Sequence, residues 1–159
     1  LLNFQKVYCI LKTISVHIIC NIDFTMSKKN TTIKLRVNYH QVDQMGIVHH
    51  AQYAYFLEQA RIDWLHHQGV SYASLENKQI LLPLTEISIA YKRPLRFDDL
   101  FFVHTTLETF ESHFVVFSYR IENEQGKQIT TASTRLVFVD GSTMRAMKCP
   151  PFLLDKFNF

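Results

Sequence analysis

The sequence predicts an α+β fold in which an antiparallel sheet wraps one long helix. Three observations predict it. An early strand-like alternation sets Ile33, Leu35, Val37 and Tyr39 against Lys34, Arg36, Asn38 and His40. A helical pattern follows, with Tyr53, Phe56, Leu57, Ala60, Trp64 and Leu65 on one face. Four further strand-like runs then come in succession, and that order suits a sheet curved around a helix.

A chain of 159 residues is long enough for one domain with a substantial core. Thirteen Phe and seven Tyr favour a sheet-rich fold, and the modest charged fraction of 19% excludes a disordered chain. The net charge is +3, but Lys and Arg are scattered, so no nucleic-acid partner is expected. Cys9, Cys20 and Cys149 are an odd, widely spaced set without Cys-x-x-Cys or Cys/His ligand spacing. Neither a metal site nor a disulfide framework follows from them, and a reducing cytoplasm fits.

Residues 1–25 are apolar, but Lys12, His17 and Asn21 interrupt the run and no small-x-small cleavage site precedes Met26. The run is too short and too polar for a membrane span, so no stable membrane insertion is expected. Met26 opens a polar lead-in, SKKNTT. The expected organisation is therefore an upstream extension without function over residues 1–25 and a single domain over residues 26–159.

The helix that begins near Tyr53 should stop at Gly69, a glycine just past the last periodic residue. Residues 70–79 are polar, with room for one short helical turn. Strands are expected over residues 84–95, 100–109, 113–122 and 128–140, with Asn123-Glu124-Gln125-Gly126 as a hairpin turn. In the first of these runs Ile87, Ile89 and Tyr91 alternate with Ser88, Ala90 and Lys92. Pro150-Pro151 breaks the chain before a short apolar helical tail, residues 152–157.

Most candidate chemistry gathers where the first strand gives way to the helix: Tyr39, Asp43, Gly46, His49 and His50. A helix start presents unpaired N–H groups and the positive end of the dipole. A carboxylate just before it can activate water while those groups polarise a carbonyl. By itself, Asp43 reads better as a turn-former before Gly46 than as a catalytic acid. Gly46 allows a backbone conformation or a close approach that a side chain would block.

The run Tyr39-x3-Asp43-Gln44-Met45-Gly46-Ile47-Val48-His49-His50, followed by Tyr53, Glu58, Ala60 and Arg61, resembles the hot-dog-fold acyl-CoA thioesterases. Within them it is similar to the 4-hydroxybenzoyl-CoA thioesterase and YbgC-like branch. The resemblance extends through LPLTEISIAYKRPLRFDDL and on to MRAMKCP, covering residues 31–156. It implies a hot-dog fold and hydrolysis of an acyl-CoA thioester, coenzyme A being part of the substrate and no other cofactor being required.

The resemblance further implies Asp43 as general base or nucleophile, the His50 N–H as oxyanion donor with its ring assisting, and Tyr39 orienting the acid or the substrate. His49 has the weaker claim. Glu58 is the alternative acid, because some hot-dog thioesterases use a helix glutamate; its plainer reading is a surface ion pair with Arg61. Phe56 and residues of the 84–95 strand are expected walls of an acyl pocket built partly by a second subunit, and Lys92, Arg93, Arg96 and Arg145 are candidate contacts for the coenzyme A phosphates. The sequence departs from the relatives at Ala51-Gln52, where Asn is common and Gln is a poorer cap. A homodimer or homotetramer is expected. The alternatives are a hot-dog hydroxyacyl-thioester dehydratase or a non-catalytic acyl-thioester binding protein.

Overall fold

The computed structural model describes residues 29–157; the proposed extension over residues 1–25 lies outside them. The elements are β1 (Asn30–Arg36), α1 (Gln52–His67), α2 (Tyr72–Glu76), β2 (Ile80–Leu81), β3 (Leu84–Tyr91) and β4 (Leu100–Phe110). They continue as β5 (Phe114–Asn123), β6 (Gln128–Val137), β7 (Val139–Asp140), β8 (Arg145–Ala146) and α3 (Pro151–Phe157).

The main sheet has five antiparallel strands in the order β1-β4-β5-β6-β3, and α1 packs across β1 and β4. This is the hot-dog arrangement. All six apolar residues of the predicted α1 face are buried, and Leu57, Ala60 and Trp64 are fully so. The Trp64 ring stands edge-on to Phe117 at 5.0 Å, and its Nε1 donates to the Lys29 carbonyl at 2.9 Å. Burying each of these large side chains contributes about 2 kcal/mol, so the packed face rather than helix propensity holds α1 in place.

The end of α1 follows from Gly69, whose φ of 68° suits a residue without a Cβ. Gly69 N–H donates to the His66 carbonyl and Val70 N–H to the Leu65 carbonyl, both at 2.9 Å. That pair of bonds, with Leu65 and Val70 both buried, is a Schellman stop. Lys156 of α3 adds a bond to the Gln68 carbonyl at 3.3 Å.

Several expectations require correction. The early alternation does not run on to His40: β1 ends at Arg36, and Tyr39–Gln41 forms a single 3-10 turn. The run to Leu95 stops as a strand at Tyr91, because Lys92 and Arg93 both donate to the Ile129 carbonyl and the chain turns away. The last run is broken at Phe138, after which β7 leaves the main sheet to pair with β2 and β8. Glu58 and Arg61 form no ion pair. Arg61 is buried beneath α1 with its Nε on the Tyr72 hydroxyl at 3.3 Å, whereas Glu58 faces outward.

Cys149 is buried, and burial pushes its thiol up to about 12, which removes it as a nucleophile. Among the described residues no helix is long and apolar enough to cross a membrane.

Candidate active site

The loop between β1 and α1 is shaped by its own backbone. Val42 bridges to Val48, Asp43 N–H donates to the Ile47 carbonyl at 2.9 Å, and Gly46 N–H returns to the Asp43 carbonyl at 2.9 Å. Gly46 has a φ of 70°; a Cβ there would meet only Arg96 Nη1, at an ordinary 3.8 Å. The glycine therefore serves the backbone conformation rather than a close approach. The segment after β3 braces this loop from outside: Val48 N–H donates to the Leu95 carbonyl at 2.8 Å, and Val37 N–H to the Asp99 carbonyl at 3.0 Å.

Asp43 makes the turn that its place before Gly46 suggests. Its Oδ1 accepts from Met45 N–H at 2.8 Å, which is the turn-forming role. Its Oδ2 has no protein partner among the described residues, and the side chain lies on the wall of a cavity of about 350 Å³.

His50 shares that wall. The helix start is not capped by Ala51 or Gln52. Instead Ala51 N–H donates to His49 Nδ1 at 3.3 Å, and Gln52 N–H to the His49 carbonyl at 2.9 Å. The His50 N–H is left without a protein partner among the described residues, at the positive end of a sixteen-residue helix.

Ile47, Val48, Tyr53 and Tyr91 supply the rest of the wall, with Lys92 and Arg93 at its rim. Tyr53 is packed edge-on to Tyr91 at 5.1 Å, and burial raises its phenol, so the group stays a neutral hydroxyl. Gln128 holds both cations: Lys92 Nζ donates to its side chain at 2.7 Å and Arg93 Nη1 to its carbonyl at 2.6 Å.

The structure thus brings Asp43, His50, Lys92 and Arg93 to one cavity and sets Tyr39, Phe56, Glu58 and Arg145 apart from it within one chain. Tyr39 is 79% exposed, packs edge-on to Phe97 at 5.7 Å and makes no hydrogen bond to Asp43. It meets Asp43 only across a second, shallower hollow, with Gln44 and Gly46.

Phe56 is a core residue, its ring 4.8 Å from Phe101, and it is no wall of the cavity in this chain. The helical period that marked it for the buried face aims it into the sheet. Arg145 belongs to β8, beyond the far end of β6 from Ile129, where Arg93 is anchored. Ten residues of strand put roughly 30 Å between the two ends, so Arg145 cannot reach the same cavity within one chain. Glu58 is exposed and lines neither hollow at Asp43.

Two residues at the site have contacts that the sequence does not foretell. Tyr91 belongs to the strand expected along the pocket wall, and its hydroxyl donates to the His50 carbonyl at 3.1 Å. His49 was given the weaker claim, yet it caps the helix. A residue two positions before an uncapped N–H was the available signal for His49; nothing in the sequence announced the pairing of Tyr91 with a residue 41 positions away.

A curved antiparallel sheet on one helix, with an acid and a free N–H at the helix start, defines the hot-dog class of thioester-processing enzymes. A family model described as the thioesterase-like superfamily matches residues 37–157, and this chain belongs to that family; it is a thioester hydrolase. It is 29% identical over 132 residues to the acyl-CoA thioester hydrolase YbgC of Escherichia coli O6:H1, covering 81% of this chain and 98% of YbgC. It is 32% identical over 115 residues to YneP of Bacillus subtilis, covering 72% of this chain and 83% of YneP. Among solved structures, the DHNA-CoA thioesterase of Staphylococcus aureus superposes with a TM-score of 0.74 at 29% identity, over 81% of this chain and 83% of that one.

Proposed function

We propose that this chain hydrolyses an acyl-CoA thioester to the acid and free coenzyme A. The observation that carries the reading is the pairing of the unpartnered Asp43 Oδ2 with the free His50 N–H beside one largely apolar cavity. The His50 N–H and the helix dipole receive charge developing on the thioester carbonyl oxygen. Asp43 either takes a proton from the attacking water or attacks the carbonyl itself, forming an anhydride that water then opens. Both routes consume one water and release one thiol and one acid without redox change, so neither a metal nor a redox cofactor is needed. Lys92 and Arg93 stand where phosphate groups of the substrate would meet charge-assisted donors.

The same reading includes a second copy of the chain. Among the described residues β3 pairs only with β6, and Leu84, Ile87 and Tyr91 along it are 46%, 40% and 51% exposed. An open edge of this kind invites strand pairing, and two β3 edges meeting about a twofold axis would cover it. Tyr91 sits on this strand and on the cavity wall, so the partner would border the cavity. Light scattering should find at least a dimer; a fully active monomer at assay concentration would overturn the arrangement.

A panel of aromatic, short-chain and long-chain acyl-CoA thioesters, assayed for thiol release, tests the activity. Failure of every member would sink the proposal. Single turnover in ¹⁸O-water separates the two roles of Asp43, because only the nucleophilic route places label in its carboxylate.

A further inference from the structure

The peptide group between His50 and Ala51 is held at both ends by side chains. Its carbonyl, on His50, accepts the Tyr91 hydroxyl at 3.1 Å. Its N–H, on Ala51, donates to His49 Nδ1 at 3.3 Å. Among the described residues the one backbone bond to the same carbonyl, from Tyr53 N–H, is long at 3.3 Å. The unpartnered His50 N–H belongs to the immediately preceding peptide, whose carbonyl accepts Gln52 N–H at 2.9 Å; the two planes meet at the His50 Cα, so holding the second one limits the rotation left at that joint.

Neither grip is supplied by ordinary capping. The residue before α1 is Ala51, with helical dihedrals and no side chain able to cap. The bond from an i+2 N–H to His49 reproduces with an imidazole what an aspartate or asparagine does in an Asx turn. To accept there, the ring must be neutral with its proton on Nε2. His49 is also steadied by its own N–H, which donates to the Gln41 carbonyl at 2.9 Å, and by the His50 ring at 4.1 Å.

We propose that His49 and Tyr91 are positioning residues that jointly fix the His50–Ala51 peptide and thereby aim the His50 N–H at the thioester oxygen. The proposal rests on the thioesterase reading above. Neither side chain need touch the reacting atoms. Their effect belongs to the transition state, where charge on the oxygen develops, and not to substrate affinity. Because both act on one peptide plane, losing either should forfeit most of what losing both forfeits.

The test uses the full chain and the best acyl-CoA of the panel, with kcat and KM determined separately, and amide exchange at Ala51 followed by NMR. His49→Ala should lower kcat about tenfold, less than the two to three orders that follow removal of an oxyanion donor, with KM unchanged within about twofold. His49→Asn, which restores an Asx-type acceptor, should recover most of the loss. Tyr91→Phe should act similarly, and the double variant His49→Ala/Tyr91→Phe should fall short of the product of the single losses. Exchange at Ala51 should quicken in His49→Ala and slow again in His49→Asn. Wild-type kcat in His49→Ala, or an asparagine variant no better than alanine, would overturn the proposal. Asp43→Asn is the control: full turnover in that variant defeats the assignment of the acid and leaves exchange at Ala51 to judge the grip. Unchanged exchange in His49→Ala overturns the grip even if no thioester is hydrolysed.

Discussion

Two turns in this molecule have the same backbone and different uses. In Asp43-Gln44-Met45-Gly46, the side-chain Oδ1 accepts from the residue two ahead, and the glycine donates to the first carbonyl at 2.9 Å with φ 70°. In Asn123-Glu124-Gln125-Gly126, Oδ1 again accepts from the residue two ahead, and the glycine donates to the first carbonyl at 3.0 Å with φ 71°. The first residue's N–H closes each loop, onto Ile47 at 2.9 Å and onto Lys127 at 3.1 Å. The Asn123 turn joins β5 to β6 and lies open to solvent on a polar surface with Arg36 and Asp98. The Asp43 turn leads into α1 and lines a cavity. Turn chemistry alone therefore does not mark an active site; the element that follows the turn does.

The largest expected effect isolates that difference. Asn123 shows that an amide makes this turn as well as a carboxylate does, so Asp43→Asn should fold with an unchanged melting temperature. Its kcat should nevertheless fall roughly a hundredfold or more, the scale of losing a general base. A loss of stability equal to the loss of activity would mean that Asp43 is only a turn residue.

A smaller effect concerns the cavity rim. Arg93→Ala should raise KM about fivefold with kcat little changed, the upper range for one exposed charge pair, whereas Arg145→Ala should leave both constants alone. Equal effects of the two would place the phosphates somewhere other than the rim, and competition by free coenzyme A reads the same difference.

The glycines offer a paired comparison. Gly46→Ala and Gly126→Ala should each destabilise the protein by about 1 kcal/mol, since both demand a left-handed backbone and neither added methyl meets a clash. Denaturant unfolding should give similar values, and only Gly46→Ala should also reduce turnover. Least of all is expected from Glu58→Gln, which alters an exposed carboxylate outside the cavity and should leave thiol release at the wild-type rate. An inactive Glu58→Gln protein beside a fully active Asp43→Asn would falsify the assignment of the acid.

How legible each part was depends on how far apart in sequence its causes lie. The α1 face and its Schellman stop are local: spacing within sixteen residues and a glycine at the right place suffice. The Asp43 turn is equally local, an acid and a glycine three residues apart. Arg61 misled because its charge suggested a surface pair with Glu58 three residues away, while its helical position faces the core and the Tyr72 hydroxyl. Phe56 does not reach the Asp43 cavity within one chain, because the α1 period turns it into the sheet. Arg145 lies far from the cavity within one chain, a distance set by the length of β6 and by the departure of β7 to the smaller sheet.

By itself the sequence determined the α+β class, the buried face and end of α1, the hairpin turns and the likeness to thioesterases, because periodicity and turn chemistry are written in short segments. Tertiary structure alone decided which candidates share a cavity. It brought Tyr91 of β3 onto the His50 carbonyl, set Lys92 and Arg93 on Gln128, left the Asp43 Oδ2 and the His50 N–H unpaired beside one space, and removed Phe56, Glu58 and Arg145 from it. Those relations join residues tens of positions apart, and only the closing of the sheet over α1 fixes the directions in which their side chains point.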